Sequence, residues 1–164
     1  MADLSGGRQS GFDRSNTDKA PLTSAVFMVE NSKGTATFSE LAGISSEVEQ
    51  AEYMEVGGRG TVFGRFVGKA KPPTVTLKRA MTTGGDTHWI WLWHAAAREA
   101  SPMAYVTTDL KLFPAGADPS GSPTKAYTLV NAFPTKVEIA GMKAGGTEVV
   151  IQTVTLQCDE ITEF

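Results

Sequence analysis

The chain is poor in the side chains on which most catalysis and metal binding depend. Cys158 is the single cysteine, so no disulfide can form within the chain, and only two histidines occur, His88 and His94. Their spacing places them on different sides of a helix, not side by side as in an i,i+4 metal pair, and the reading is a cap and a surface histidine. No excess of positive charge exists either: 15 Lys and Arg stand against 18 Asp and Glu, for a formal net charge of -3. That balance argues against a dedicated polyanion binder. No apolar run approaches membrane-spanning length, and the opening MADLSGGRQSGFDRSN lacks the basic start and apolar stretch of a secretory leader. Synthesis in the cytoplasm without a signal peptide is expected.

Catalytic patterns are missing too. No GxSxG elbow, no Ser-His-Asp signature and no Cys/His grouping occurs, and Gly58, Gly60 and Gly64 miss the dinucleotide spacing. The glutamates Glu47, Glu49, Glu52 and Glu55 have no nucleophile converging on them in the pattern, so they read as a solvated face. No catalytic residue, metal or cofactor is expected. Cys158 reads as a small buried hydrophobe.

What is present is mostly strand. Val75, Leu77 and Arg79 alternate with Thr76 and Lys78, the period of a strand with one covered side. After Gly84 and Gly85, Asp86 is a good N-cap for the single convincing helix. Its stripe is Trp89, Ile90, Trp93, Ala96, Ala97 and Ala100, with Trp91, His94 and Arg98 on the other side. Ser101-Pro102 closes it. Trp89, Trp93 and Leu77 are therefore the expected core anchors, and the outward Trp91 suggests a second contact surface.

Around this unit, Met1 to Pro21 form a polar arm too poor in apolar groups to order itself, and residues 22–164 form one domain. Ala25 to Glu30 and Thr35 to Leu41 read as strands joined by a turn at Asn31 to Gly34, and Ser45 to Val56 as a further strand. Val56 to Lys71 is punctuated by glycines and carries Arg59, Arg65, Lys69 and Lys71 beside Val62, Phe63, Phe66 and Val67, which reads as a mobile, basic and apolar loop or hairpin. Such a mixture serves a nucleic-acid stacking platform or a protein contact, and the protein contact is the commoner use. Met103 to Phe113 is strand-like, Pro114 to Pro123 a turn-rich excursion, and Tyr127 to Phe133 and Thr135 to Ala140 two strands interrupted by Pro134. The last run, Thr147 to Asp159, reads as one long strand largely uncharged on both faces. With one helix to cover so much sheet, a mainly β, two-sheet barrel or sandwich with one flanking helix is expected.

Taken in order, several segments carry a resemblance. They are Phe27-Met28-Val29-Glu30, Phe38-Ser39-Glu40-Leu41-Ala42-Gly43-Ile44, the Glu47-Val48-Glu49 and Glu52-Tyr53 run, and Thr76-Leu77-Lys78-Arg79 after paired prolines. The Trp89 to Trp93 helix, Asn131-Ala132-Phe133-Pro134-Thr135-Lys136 and Glu148-Val149-Val150-Ile151 complete the series. This order resembles the tail tube proteins of contractile phages and the inner tube proteins of contractile injection systems. The chain departs from them in its longer polar start and in Gln152 and Gln157 on the final strand.

The resemblance implies a fold like that of the haemolysin-coregulated protein, in homohexameric rings stacked as a hollow tube within a sheath. It implies as partners further copies of the chain, the sheath protein, baseplate, initiator and terminator proteins, and a cargo of effector protein or phage DNA, with no membrane in the resting particle. On this reading Arg59, Phe63, Arg65 and Phe66 form the contact between rings. Trp91, Val149, Ile151 and Thr153 form the contact between subunits, the final strand pairing through an exposed edge. A tube initiator of the same fold and a small ligand-binding barrel are the alternatives.

Overall fold

The computed structural model describes residues 25–58, 60–82, 84, 88–141 and 143–164 of the 164-residue chain. The polar arm Met1 to Pro21 and the N-cap Asp86 lie outside the described residues. Two hairpins begin the fold. Strand β1 (Ala25–Asn31) turns into β2 (Gly34–Phe38), where Asn31 Oδ1 accepts from the backbone N–H of Lys33 at 2.9 Å and of Gly34 at 3.2 Å. A short amide side chain that bonds its own turn is what favours asparagine there. Strand β3 (Glu40–Gly57) then pairs with β4 (Gly60–Ala80).

Helix α1 (His88–Arg98) and a 3-10 turn at Pro102–Ala104 lead into β5 (Val106–Pro114), so the strand expected from Met103 starts later. Strands β6 (Lys125–Ile139), β7 (Ile151–Gln157) and β8 (Glu160–Glu163) complete the chain. All pairings are antiparallel, in the order β2-β1-β5-β6-β7-β4-β3 with β8 beside β6. The expected barrel does not close. Among the described residues each end strand has a single hairpin partner, β1 for β2 and β4 for β3, and keeps its other edge open. Only Ser39 separates the two, and its N–H bonds Lys78 O at 3.0 Å.

Two strands expected around Pro134 are one. The first half of β6 pairs with β5 and β8, the second half with β7 alone. Asn131, at the crossing, has a left-handed φ of 51° and donates its amide N–H to Asp159 at 2.8 Å. A second register shift falls between Pro134 and Lys136. Asparagine tolerates the left-handed region and proline contributes no ladder donor, so both residues bend the strand where it changes partners.

The bend lets both strand groups face one core. Val29, Phe38, Val75, Leu77, Leu110, Leu112, Leu129, Val154 and Leu156 share a cluster with Ile90 and Trp93 of the helix. Trp93 is buried, donates Nε1–H to Ala104 O at 2.6 Å and stacks on Trp89 at 5.9 Å between centroids. The Trp89 ring lies over Gly34, where a Cβ would come within 2.8 Å of it. Just past the helix, Ala100 has a φ of 53°, and Ser101 N–H returns to Ala96 O at 3.0 Å. A residue in the left-handed region just past the last turn satisfies late carbonyls in this way.

His94 is not the surface histidine expected. It is half-buried with Nδ1 3.0 Å from Pro134 O, tying the helix to the bend in β6. The final strand also differs from expectation. Among the run Thr147 to Asp159 only Ile151–Gln157 is strand, with β4 on one side and β6 on the other. It is an interior strand with no free edge. Gln152, Val154, Leu156 and Cys158 point into the core, while Ile151, Thr153, Thr155 and Gln157 are half-exposed.

Two outcomes test this packing. Trp93→Ala removes a buried ring and a buried hydrogen bond, and should lower unfolding free energy by about 3–5 kcal/mol in a urea titration. Cys158 is buried, its N–H bonds Pro73 O at 3.1 Å, and desolvation together with the nearby Asp159 charge pushes its thiol up to about 11. Because the folded pKa is raised, this contribution is whole below the unfolded value of about 8.5 and is lost as pH rises through 11. Thermal melts should show a shallower loss of stability over that window in Cys158→Ala than in the unmodified chain.

Candidate functional site

Strand β4 has two environments. From Thr74 to Ala80 it lies between β3 and β7, with Val75, Leu77 and Arg79 buried. From Gly60 to Lys71 it pairs with β3 alone among the described residues. Pro72-Pro73 separate the halves, and the β3–β4 register shifts there, between Ser45 and Glu47. Two consecutive residues without an N–H cannot continue the ladder. Beyond them β3 and β4 run on as a two-stranded ribbon, roughly 35 Å long at the usual strand rise. The segment expected as a loop or hairpin is this ribbon.

Almost nothing on the ribbon is covered. Val56 is 75% exposed, Phe63 77% and Val67 85%; Val48, Met54 and Phe66 are also largely in solvent, and Tyr53 is partly so. A soluble chain seldom leaves so many large apolar side chains together unless a partner covers them. Two strands without a third or a helix are also marginally stable. The ribbon is the surface most in need of a partner.

Register separates its two faces. Glu52 opposes Arg65, Met54 opposes Phe63 and Gln50 opposes Val67 on one face; Ala51 opposes Phe66 and Tyr53 opposes Gly64 on the other. The Tyr53 ring covers Gly64, where a Cβ would meet it at 1.9 Å, and stacks on Phe66 at 4.7 Å. A glycine without a side chain lets the aromatic ring lie against the backbone and stiffen the pair. The four residues assigned to one contact are therefore divided. Phe63 and Arg65 share a face, Phe66 belongs to the Tyr53 stack on the opposite one, and Arg59 lies outside the described residues. Val48, Tyr53, Met54, Val56 and Val67 were not assigned to a contact from the sequence, since apolar groups occupy both phases of the alternation and no single face stands out.

The residues assigned to the subunit contact occupy separate places. Trp91 is on the helix and 39% exposed, whereas Ile151 and Thr153 are on the outer face of β7, and Val149 precedes the strand in solvent. Around Thr153 a cross-strand row runs Glu138, Thr153, Lys78, Glu40, with Lys78 Nζ 2.8 Å from Glu40. The sheet's outer face is thus polar, unlike the ribbon. Among the described residues no group of three or more His, Cys, Asp or Glu is placed to hold a metal ion. None of their helices is long and apolar enough to cross a membrane.

Residues 23–162 match the family model described as T4-like virus tail tube protein gp19. The chain belongs to that family. Its members are structural tube proteins, and assembly into a phage tail or injection particle is their setting. Solved structures share the fold. The anti-feeding prophage tube-terminating cap aligns with a TM-score of 0.68 at 20% identity, over 89% of this chain and 92% of that one. The sheath–tube complex of an extracellular contractile injection system, PVC, gives 0.68 at 17% identity over 89% and 93%. The sheath/tube terminator of that system gives 0.66 at 18% over 88% and 96%. No curated protein sequence matches.

In this family member the Tyr53–Phe66 stack is the ribbon's own stiffener. Tyr53→Ala should speed hydrogen exchange of ribbon amides by about 2–5-fold, the equivalent of 0.5–1 kcal/mol for a cross-strand aromatic pair. Amides of β7 should exchange unchanged.

Proposed function

We propose that the chain is the repeating subunit of the inner tube of a contractile phage tail or contractile injection system. Copies close into hexameric rings, and the rings stack into a hollow conduit inside the sheath. A baseplate or initiator starts the tube, a terminator ends it, and an effector protein or phage DNA passes through the lumen. The ribbon carries this reading: a subunit of a tail tube family holds out a long, apolar, two-stranded arm that a single copy cannot cover. Phe63 and Arg65 lead the contact with the next ring, and Phe66 supports them from behind through Tyr53. Trp91, Val149, Ile151 and Thr153 meet neighbours by their side chains, since β7 has no edge to offer. Each added subunit meets ring neighbours and the ring beneath together, so contacts of modest strength become cooperative.

A second reading is a ring that occupies one end of the tube, as terminator or initiator. It is favoured by the similarity to a terminating cap and to a sheath/tube terminator.

Negative-stain microscopy of the purified chain at rising concentration, alongside its solution mass, separates the two. A tube subunit gives hollow six-fold rings that stack; an end ring gives rings that never stack. A chain that stays monomeric even with preformed tube ends would overturn both. Phe63→Ser should leave the fold intact and rings unstacked, and tubes of normal length from that variant would remove Phe63 from the contact.

A further inference from the structure

The two strands of the arm divide charge completely. Strand β3 contains Glu40, Glu47, Glu49, Glu52 and Glu55 with no Lys or Arg, and β4 contains Arg65, Lys69, Lys71, Lys78 and Arg79 with no Asp or Glu. Part of this division serves the hairpin itself. Glu40 meets Lys78 at 2.8 Å, Glu47 meets Lys71 at 3.0 Å and Glu52 meets Arg65 at 3.4 Å. Exposed pairs of this kind contribute little stability but penalise a slipped register. Glu49, Glu55 and Lys69 remain over, each exposed and with no ion-pair partner among the described residues.

Among the described residues both outer edges of the arm are free. Strand β3 pairs with β4 alone, and β7 joins β4 only from Thr74 onward. One edge of the ribbon is therefore acidic and the other basic, and each keeps a row of backbone donors and acceptors without a strand beside it. Rotation about a ring axis leaves all arms pointing the same way. Because β3 and β4 run in opposite directions, the β3 edge of one arm then meets the β4 edge of the next in antiparallel sense, acid against base. A two-fold dimer through the same edges would set β3 on β3 or β4 on β4, placing like charges opposite each other.

Resting on the tube-subunit reading, we infer that the arms of neighbouring copies pair side by side, the acidic β3 edge of one against the basic β4 edge of the next. The partner of each edge is a second copy of this chain. Charge then has two effects: it draws the edges together, and it excludes the two-fold dimer that would compete with ring closure. Strands in a ladder lie about 4.8 Å apart, inside the screening length of roughly 8 Å at physiological salt, so the leftover charges act across the junction.

A charge-exchange pair tests this. One variant carries Glu49→Lys and Glu55→Lys, so that the unpaired charges on both edges are basic; the other carries Lys69→Glu, so that they are all acidic. All three sites are exposed and outside the hairpin's own ion pairs, so each variant should melt as the unmodified chain does. Each alone should need at least a tenfold higher concentration to form rings. An equimolar mixture should form them at the unmodified concentration, because an even-numbered ring can alternate the two. If either variant alone closes rings normally, or the mixture stays monomeric, while the unmodified chain forms rings, the edge pairing is wrong and the tube reading stands. If the unmodified chain forms no rings with a template present, both fall.

Discussion

The structure turns on a mismatch within one strand. β4 begins as half of an uncovered ribbon and ends as a buried strand between two others. Pro72-Pro73 mark the change, because a ladder cannot run unbroken through two residues without N–H groups. Pro73 nonetheless stays in use, its carbonyl accepting the N–H of Cys158. The core half is held by Val75 and Leu77, which are inaccessible to solvent, and that anchorage fixes the root from which the ribbon projects. The free end has the opposite balance: apolar side chains with no core to enter and strand edges with no neighbour. A monomer tolerates this only because charges and glycines break up the ribbon's surface.

The rest of the fold supports that root. β6 passes from one group of strands to the other at Asn131 and Pro134, so both groups share one core. The helix seals the core with Ile90 and Trp93 and is fastened at both flanks, by Trp93 Nε1–H to Ala104 and by His94 against Pro134. Among the described residues, buried polar groups are left over at the Trp89 indole N–H and at the Gln152 amide. Gln152 is inaccessible to solvent, and its amide nitrogen and oxygen have no hydrogen-bond partner among the described residues. An unpaired buried amide is costly, so this position lowers the stability of a strand otherwise well packed.

Much of this architecture was legible because local rules and tertiary needs agree. The alternation from Val75 to Arg79, the helical stripe through Ile90 and Trp93 and the Asn31 turn each follow from spacing, and burial follows the same periods. The misreadings fall where spacing says nothing about neighbours. Tyr127 to Phe133 and Thr135 to Ala140 were separated at Pro134, since proline signals a break, yet the strand bends and continues. β7 was expected to offer an edge because its sequence is uncharged on both faces, whereas hydrophobicity identifies what is covered and not which strands do the covering. His94 was assigned to the surface by its helical angle, and the angle is right; β6 happens to reach that side.

Sequence alone suffices for a strand-dominated chain with a single helix, a tryptophan anchor and a family. These are consequences of local periodicity, residue order and composition, all of which act over a few neighbours. Only the tertiary structure decided that Phe63 and Phe66 face opposite ways, that β7 is interior and that the sheet stays open. Those properties depend on which segments pair and in what register. A shift of one residue turns every side chain to the other face, and register is settled by the packing of distant strands together.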